Sequence, residues 1–257
     1  MDKGTITGIA LAGGGIVVGL LIEGGKISQI LQPTAAIIVL GGTAGAVLVQ
    51  FPLRQFLAAI RALVNIFREK ETSPENLIAV LVEFAIQARK HGIVSLDAKL
   101  EHIVDPFLRK SLMLAVDGTP PNELRRMMEL ELESQMEADE KIPQVFEAAG
   151  GFSPTIGIIG AVLGLIQVMQ HLQNIDEVGK GIAVAFVATI YGVAAANLFL
   201  LPAAGKLRIR LREAHLLRAM TLEGVVSVLE GMNPRMLQMR LAGFLDSGER
   251  AAKGEPA

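Results

Sequence analysis

The sequence predicts an all-α polytopic membrane protein: four transmembrane helices, with a helical cytoplasmic domain between the second and the third. Three observations predict it. Hydrophobic residues make up 51% of the 257. They are gathered in blocks at 4–22, 33–52, 150–169 and 181–202, each about as long as the roughly 20 residues that cross a bilayer. Lysine and arginine avoid the short loops inside each pair of blocks: 22 lie elsewhere, and only Lys26 and Lys180 lie there. Cytoplasmic loops keep the excess of positive charge. The short loops are therefore expected outside, and both termini and the large loop inside. A single Lys3 before a full-length first block argues against a cleaved signal peptide.

The first block carries Gly13, Gly14, Gly15 and Gly19, and the second Gly41, Gly42, Gly45 and Ala46. In a membrane such residues let neighbouring backbones approach, and packing within the chain is their expected use. After Pro52, Arg54, Arg61 and Arg68 recur every seven residues, while Leu53, Phe56, Leu57, Ile60, Leu63, Val64 and Phe67 cover the other face. This predicts an amphipathic helix, either lying at the membrane interface or continuing into the cytoplasm. Thr72-Ser73-Pro74-Glu75 reads as a helix start, and Gly92 as that helix's stop. Ser95-Leu96-Asp97 opens another element, and Asp117-Gly118-Thr119-Pro120-Pro121 is a break. A charge-rich helix is expected from Asn122, interrupted near Pro143, and the tail beyond Pro202 continues as a basic helix. Residues 247–257 read as disordered. The chain then divides into a hairpin at 1–52, a cytoplasmic helical domain at 53–150, a second hairpin at 151–202 and a cytoplasmic helix and tail at 203–257.

Several chemistries are excluded. The chain has no cysteine, hence no disulfide framework or thiolate metal site. The Gly13-Gly14-Gly15 run lies inside an apolar block, not between a strand and a helix, so it is no phosphate cradle. His91, His102, His171 and His215 lack ligand spacing and read as surface or boundary residues. Neither an enzyme, a metal site, a cofactor nor a nucleic-acid partner is expected.

The last two blocks hold no Asp, Glu, Lys or Arg. If the chain moves ions, a carboxylate must come from a partner. Pro154 and Pro202 fall near the same expected cytoplasmic boundary on adjacent helices. Thr155 and Thr189 are among the few polar side chains there; such threonines most often bond their own backbone one turn back. Phe186 and Thr189, three apart, share a face, and Gly160 and Gly164 form a small-xxx-small pair.

These residues carry a resemblance. SPTIGIIGAVLGLIQVM (153–169) and AFVATIYGVAAANLFLLPAAGKL (185–207) resemble the second hairpin of the MotA/PomA family, the A subunits of the flagellar motor stator, within the MotA/TolQ/ExbB superfamily. Pro154 and Pro202 fall at that family's two functional prolines. ARKHGIVSLDAKLE (88–101) resembles its torque-generating segment. Arg89 and Asp97 match the basic and acidic motor residues, an Asp standing where Glu is more usual, with Lys90 and Glu101 beside them. The resemblance covers nearly the whole chain.

It implies an ion-channel-forming stator subunit of the bacterial inner membrane, serving motility and chemotaxis. A ring of A subunits, expected to be a pentamer, would surround helices of a MotB-like B subunit. That partner has one span with an essential Asp and is anchored to peptidoglycan. Inward ion flow would turn the ring past Pro154, Thr155, Phe186, Thr189 and Pro202. Arg89, Lys90, Asp97 and Glu101 would engage a FliG-like rotor protein. Sodium-type relatives tend to carry a hydroxyl where this chain has Ala161, which predicts H+ over Na+ as the translocated ion. The alternative is an ExbB/TolQ-like energiser of outer-membrane processes; four spans and the Arg89/Asp97 segment favour the flagellar reading.

Overall fold

The computed structural model describes residues 3–66 and 73–253, and every regular element among them is helical. In chain order these are α1 (Lys3–Ile22), α2 (Ile27–Ile30) and α3 (Pro33–Ala36), which runs through a π-helical stretch (Ile37–Gly41) into α4 (Gly42–Gln50). There follow α5 (Leu53–Ile66), α6 (Pro74–His91), a 3₁₀ turn (Ile93–Leu96), α7 (Asp97–Leu100) and α8 (Pro106–Val116). Then come α9 (Pro121–Gln170), α10 (Ile175–Ala194), a second π-helical stretch (Ala195–Leu200), α11 (Leu201–Leu229) and α12 (Pro234–Lys253). Four stretches are long and apolar enough to span a membrane: Gly4–Ile22, Pro33–Gln50, and segments within α9 and within the helix from Ile175 to Leu229.

The chain folds into two compact units. One comprises Met1–Glu69 with Asp139–Ile209, the other Lys70–Ala138 with Arg210–Ala257. In the first, Ala35, Val39, Val187 and Ala188 form a small core between the second and fourth spans. A second cluster joins Val47 of α4, Ala59 of α5, Val145, Phe146 and Ala149 of α9, and Ala204 and Leu207 of α11. The amphipathic α5 thus packs one apolar row into the chain, while Leu53, Leu57, Ile60 and Val64 point outward beside exposed Arg54 and Arg61. Phe67, Arg68 and Thr72 lie outside the described residues.

Three sequence expectations are corrected. The glycines of the first span do not pack within the chain: around Gly13, Gly14, Gly15 and Gly19, an added Cβ would meet nothing within 4 Å. The same holds for Gly41 and Gly45, and of that group only Gly42 faces a neighbour, Ile156. Pro143 interrupts nothing. It lies with Pro154 inside the continuous α9. A proline removes one amide donor and crowds the preceding turn, but Val145, Phe146 and Ala149 just beyond it are buried, and their burial favours continuing the helix. At the C-terminus, α12 runs on through Lys253, and residues 254–257 lie outside the described residues.

The second unit has an apolar core built from Leu81 and Phe84 of α6, Leu96, Phe107 and Leu112, Leu124 and Met128 of α9, Val225 of α11, and Leu237 and Leu241 of α12. Pro74 and Glu75 open α6 as expected, and the Ser73 hydroxyl donates to the Glu75 carboxylate. That bond and the Glu75 backbone amide hold the Glu75 carboxyl below its ordinary value. Asp105 caps α8, its carboxylate accepting from the Leu108 amide at 2.8 Å, which satisfies a free donor of the first turn. Glu223, with its side chain 12% exposed, pairs with both Arg125 Nη2 at 2.9 Å and Arg240 Nη2 at 2.6 Å, tying α9, α11 and α12 together. Replacing Glu223 by Ala is expected to lower the stability of the solubilised chain by about 1–3 kcal/mol, because a charge-assisted bridge is lost. Chemical denaturation monitored by far-UV circular dichroism checks this; an unchanged midpoint would refute it.

Candidate functional site

The second hairpin is held by backbone contact. A Cβ on Gly157 would lie 2.8 Å from the Ala188 carbonyl oxygen, and one on Gly192 would lie 2.6 Å from the Ser153 carbonyl oxygen. At Gly164 it would lie 2.8 Å from the Gly181 carbonyl oxygen, and at Gly160 2.8 Å from the Ala188 methyl. The Gly160/Gly164 pair read from the sequence is therefore the middle of a longer seam. Gly157 and Gly192 extend it, and the spacing of Gly157, Gly160 and Gly164 along one helix face was the signal for it.

The second span covers one flank of this hairpin, with Ile38 against Gly160 and Ile156 against Gly42. Tyr191, the one tyrosine of the chain, fastens it. Its hydroxyl donates to the Ile30 carbonyl at 2.6 Å and accepts the Gln32 amide at 3.2 Å. Nothing in the sequence pairs Tyr191 with a loop some 160 residues earlier, so this contact was not legible there.

Another flank is left open. Along α10 and the π-helical stretch, Phe186 (70% exposed), Ile190, Val193 and Asn197 recur at three- and four-residue spacing, all exposed, with Thr189 half-buried at their edge. Pro154 and Ala161 of α9 are half-buried. Thr155 is exposed. At about 100° per residue it sits about 200° from Gly157, on the side of α9 turned from the seam. Both threonine hydroxyls serve their own helices: Thr155 donates to the Phe152 carbonyl at 2.7 Å and Thr189 to the Ala185 carbonyl at 3.3 Å. Pro202 is exposed and follows the second π-helical stretch by two residues. No ionisable side chain lies on the open flank between Gly181 and Pro202.

The charged segment has its own geometry. Arg89 and Lys90 end α6, where cations suit the helix dipole, and Asp97 begins α7, where an anion does. Between them Gly92 adopts φ +82°, a conformation that other residues rarely take. Gln87 Nε2 donates to the Ser95 carbonyl at 2.8 Å, and the Ser95 hydroxyl to the Gly92 carbonyl at 2.7 Å. These bonds fix the corner that separates Arg89 from Asp97; Gln87, unremarkable in the sequence, supplies the first of them. Arg89, Lys90, Asp97 and Glu101 are all exposed. Among the described residues none of these four side chains makes an ion pair. Their neighbours do: Lys99 with Glu83, and Lys110 with Glu131. Arg109 donates to the Ile103 carbonyl at 2.7 Å.

Among the described residues no cluster of three or more His, Asp or Glu side chains is placed to hold a metal. His171 pairs locally, with Nε2 3.4 Å from Glu177 Oε2. His91 and His102 are exposed, and His215 is half-buried.

Residues 99–220 match the MotA/TolQ/ExbB proton channel family, and residues 6–92 match the motility protein A N-terminal family. The chain is 35% identical to motility protein A of Bacillus subtilis over 99% of its length and 96% of that protein. It is 32% identical to chemotaxis protein PomA of Vibrio alginolyticus, over 98% of both. Among solved structures, C. jejuni MotAB superposes with a TM-score of 0.89 at 31% identity, covering 95% of this chain and 96% of that one. The flagellar MotAB stator complex of Bacillus subtilis superposes at 0.87 with 34% identity, covering 99% and 100%.

The seam generates a contrast. Gly157→Val drives a side chain into the Ala188 carbonyl and is expected to lower the thermal stability of the detergent-solubilised chain by several degrees. Gly13→Val, with no neighbour in the chain, is expected to leave it unchanged. Equal effects on the two melting curves would contradict the seam.

Proposed function

This chain belongs to the motility protein A branch of the MotA/TolQ/ExbB proton channel family and is a multi-pass stator subunit of the flagellar motor; we propose that inward proton flow past its second hairpin turns a ring of such subunits. The observation that carries this reading is the open, charge-free flank from Phe186 to Asn197, edged by Thr189. A channel wall with no carboxylate of its own needs an ion-binding group from elsewhere. A MotB-like B subunit would supply it as an Asp on a single span. An ionised side chain at the bilayer centre costs about 2.5–3.5 kcal/mol on insertion scales. Protonation relieves that cost, so each proton changes how the Asp-bearing helix fits the flank. Phe186, Thr189, Pro154 and Pro202 are the groups that would register the change, with Thr155 on the side of α9 turned from the seam.

The chain sits in this reading in the bacterial inner membrane with both termini in the cytoplasm, and the B subunit holds the complex to peptidoglycan. The ring is a pentamer. Arg89, Lys90, Asp97 and Glu101, unpaired within the described chain, present their charges to a FliG-like rotor protein. Complementary charge at such an exposed rim governs specificity and rate of engagement more than affinity. Ala161 offers no oxygen at the position where a sodium site would use one, which supports protons as the coupling ion. The match of residues 6–92 to the motility protein A N-terminal family favours the flagellar role over an ExbB/TolQ-like one.

Pro154→Ala and Pro202→Leu are each expected to abolish rotation while the protein still reaches the membrane, as immunoblotting and tethered-cell assays would report; normal swimming by both would refute their role. Arg89→Glu is expected to reduce torque, and a matching charge reversal on the rotor protein to restore it. Swimming speed is expected to persist in sodium-free medium and to collapse with the proton-motive force; speed that tracks sodium alone sinks the proton assignment.

A further inference from the structure

Asn197 lies in the charge-free fourth span, exposed and in line with Phe186, Ile190 and Val193. An amide turned to lipid is costly, and polar side chains in spans face protein or water-filled cavities. Its Nδ2 donates to the Val193 carbonyl at 2.9 Å, which orients the side chain and leaves Oδ1 without a partner among the described residues. The backbone adds a second oxygen. Within the π-helical stretch the Leu201 amide bonds the Ala196 carbonyl, five residues back. The next carbonyl in that register is Asn197's own, and it faces Pro202, which has no N–H to give. Two acceptor oxygens of one residue, side-chain and main-chain, are therefore left open on an otherwise apolar face. Hard cations and the waters that carry protons are held by oxygens of this kind.

We infer that the Asn197 carbonyl and Oδ1 together form a binding site for a hydrated monovalent cation, on the side of Thr189 toward Pro202. The inference rests on the stator reading and places an oxygen site of this chain on the ion's inner exit. The π-helical stretch and Pro202 then have a chemical consequence as well as a mechanical one. Together they free a carbonyl that a regular α-helix would have occupied.

The test uses the full chain with its own B subunit, produced in flagellated cells that lack stators, with bead rotation followed as cytoplasmic pH is lowered by a permeant weak acid. Asn197→Leu removes Oδ1. A weakened exit site refills from the cytoplasm less readily, so the variant motor is expected to slow at a cytoplasmic proton concentration about tenfold higher than wild type, the scale of one lost hydrogen-bonding acceptor. Membrane content is checked by cross-linking to the B subunit. If the Leu variant is not inserted, Asn197→Ala carries the same test, since it also removes Oδ1 and alanine is well accepted in a helix. A profile that shifts with cytoplasmic sodium instead identifies sodium as the held cation. An inserted variant with wild-type speed and an unshifted profile overturns the site alone. A wild-type chain that fails to turn the stator-less motor overturns the stator reading and this site with it.

Discussion

At Gly157 the backbone of α9 approaches α10 so closely that a single added carbon would lie 2.8 Å from the Ala188 carbonyl oxygen. Lipid gives apolar helices no reason to leave it for one another, so association in the bilayer rests on close packing of small residues. Gly157, Gly160 and Gly164 on one side, and Gly181, Ala185, Ala188 and Gly192 on the other, meet that need over about three turns. The rest of the first unit is arranged around this contact. The second span takes one flank through Ile38 and Gly42, Tyr191 pins the loop that precedes that span, and another flank stays open.

The open flank and the charged corner differ in the chemistry they expose. Where water is absent the chain presents shape, hydroxyls already bonded to their own helices, and no titratable group. Where water is present it holds four charges free of internal partners, while nearby charges are paired. An exposed ion pair contributes little to stability, so leaving Arg89, Lys90, Asp97 and Glu101 unpaired costs the fold little.

The sequence made legible what depends on local composition. Block length and the avoidance of two loops by lysine and arginine gave the four spans, and Gly92 and Gly118 marked turns that do require positive φ. What it hid depends on distant partners. Tyr191 looks like any aromatic residue in an apolar run until the Ile30 carbonyl is beside it. Pro143 looks like a break until the buried side chains beyond it are seen. The glycines of the first span look like a packing motif, yet nothing in the chain comes near them. The site residues divide in the same way: Gly160 and Gly164 follow from spacing, whereas Gln87 matters only through the Ser95 carbonyl eight residues on.

The π-helical stretches of the second and fourth spans set a phase. Each holds its chain one residue out of step with the α-helix that continues beyond it, and each residue carries about 100° of rotation. In the fourth span this offset lies between Phe186 and Pro202. The direction in which Pro202 and the residues up to Ile209 point, relative to the Phe186 face, is thus written in the residue count of 195–200. The length of that stretch is constrained independently of what its side chains, Asn197 among them, do. Gain or loss of one residue would leave every local preference intact and turn the following helix by more than a quarter of a revolution.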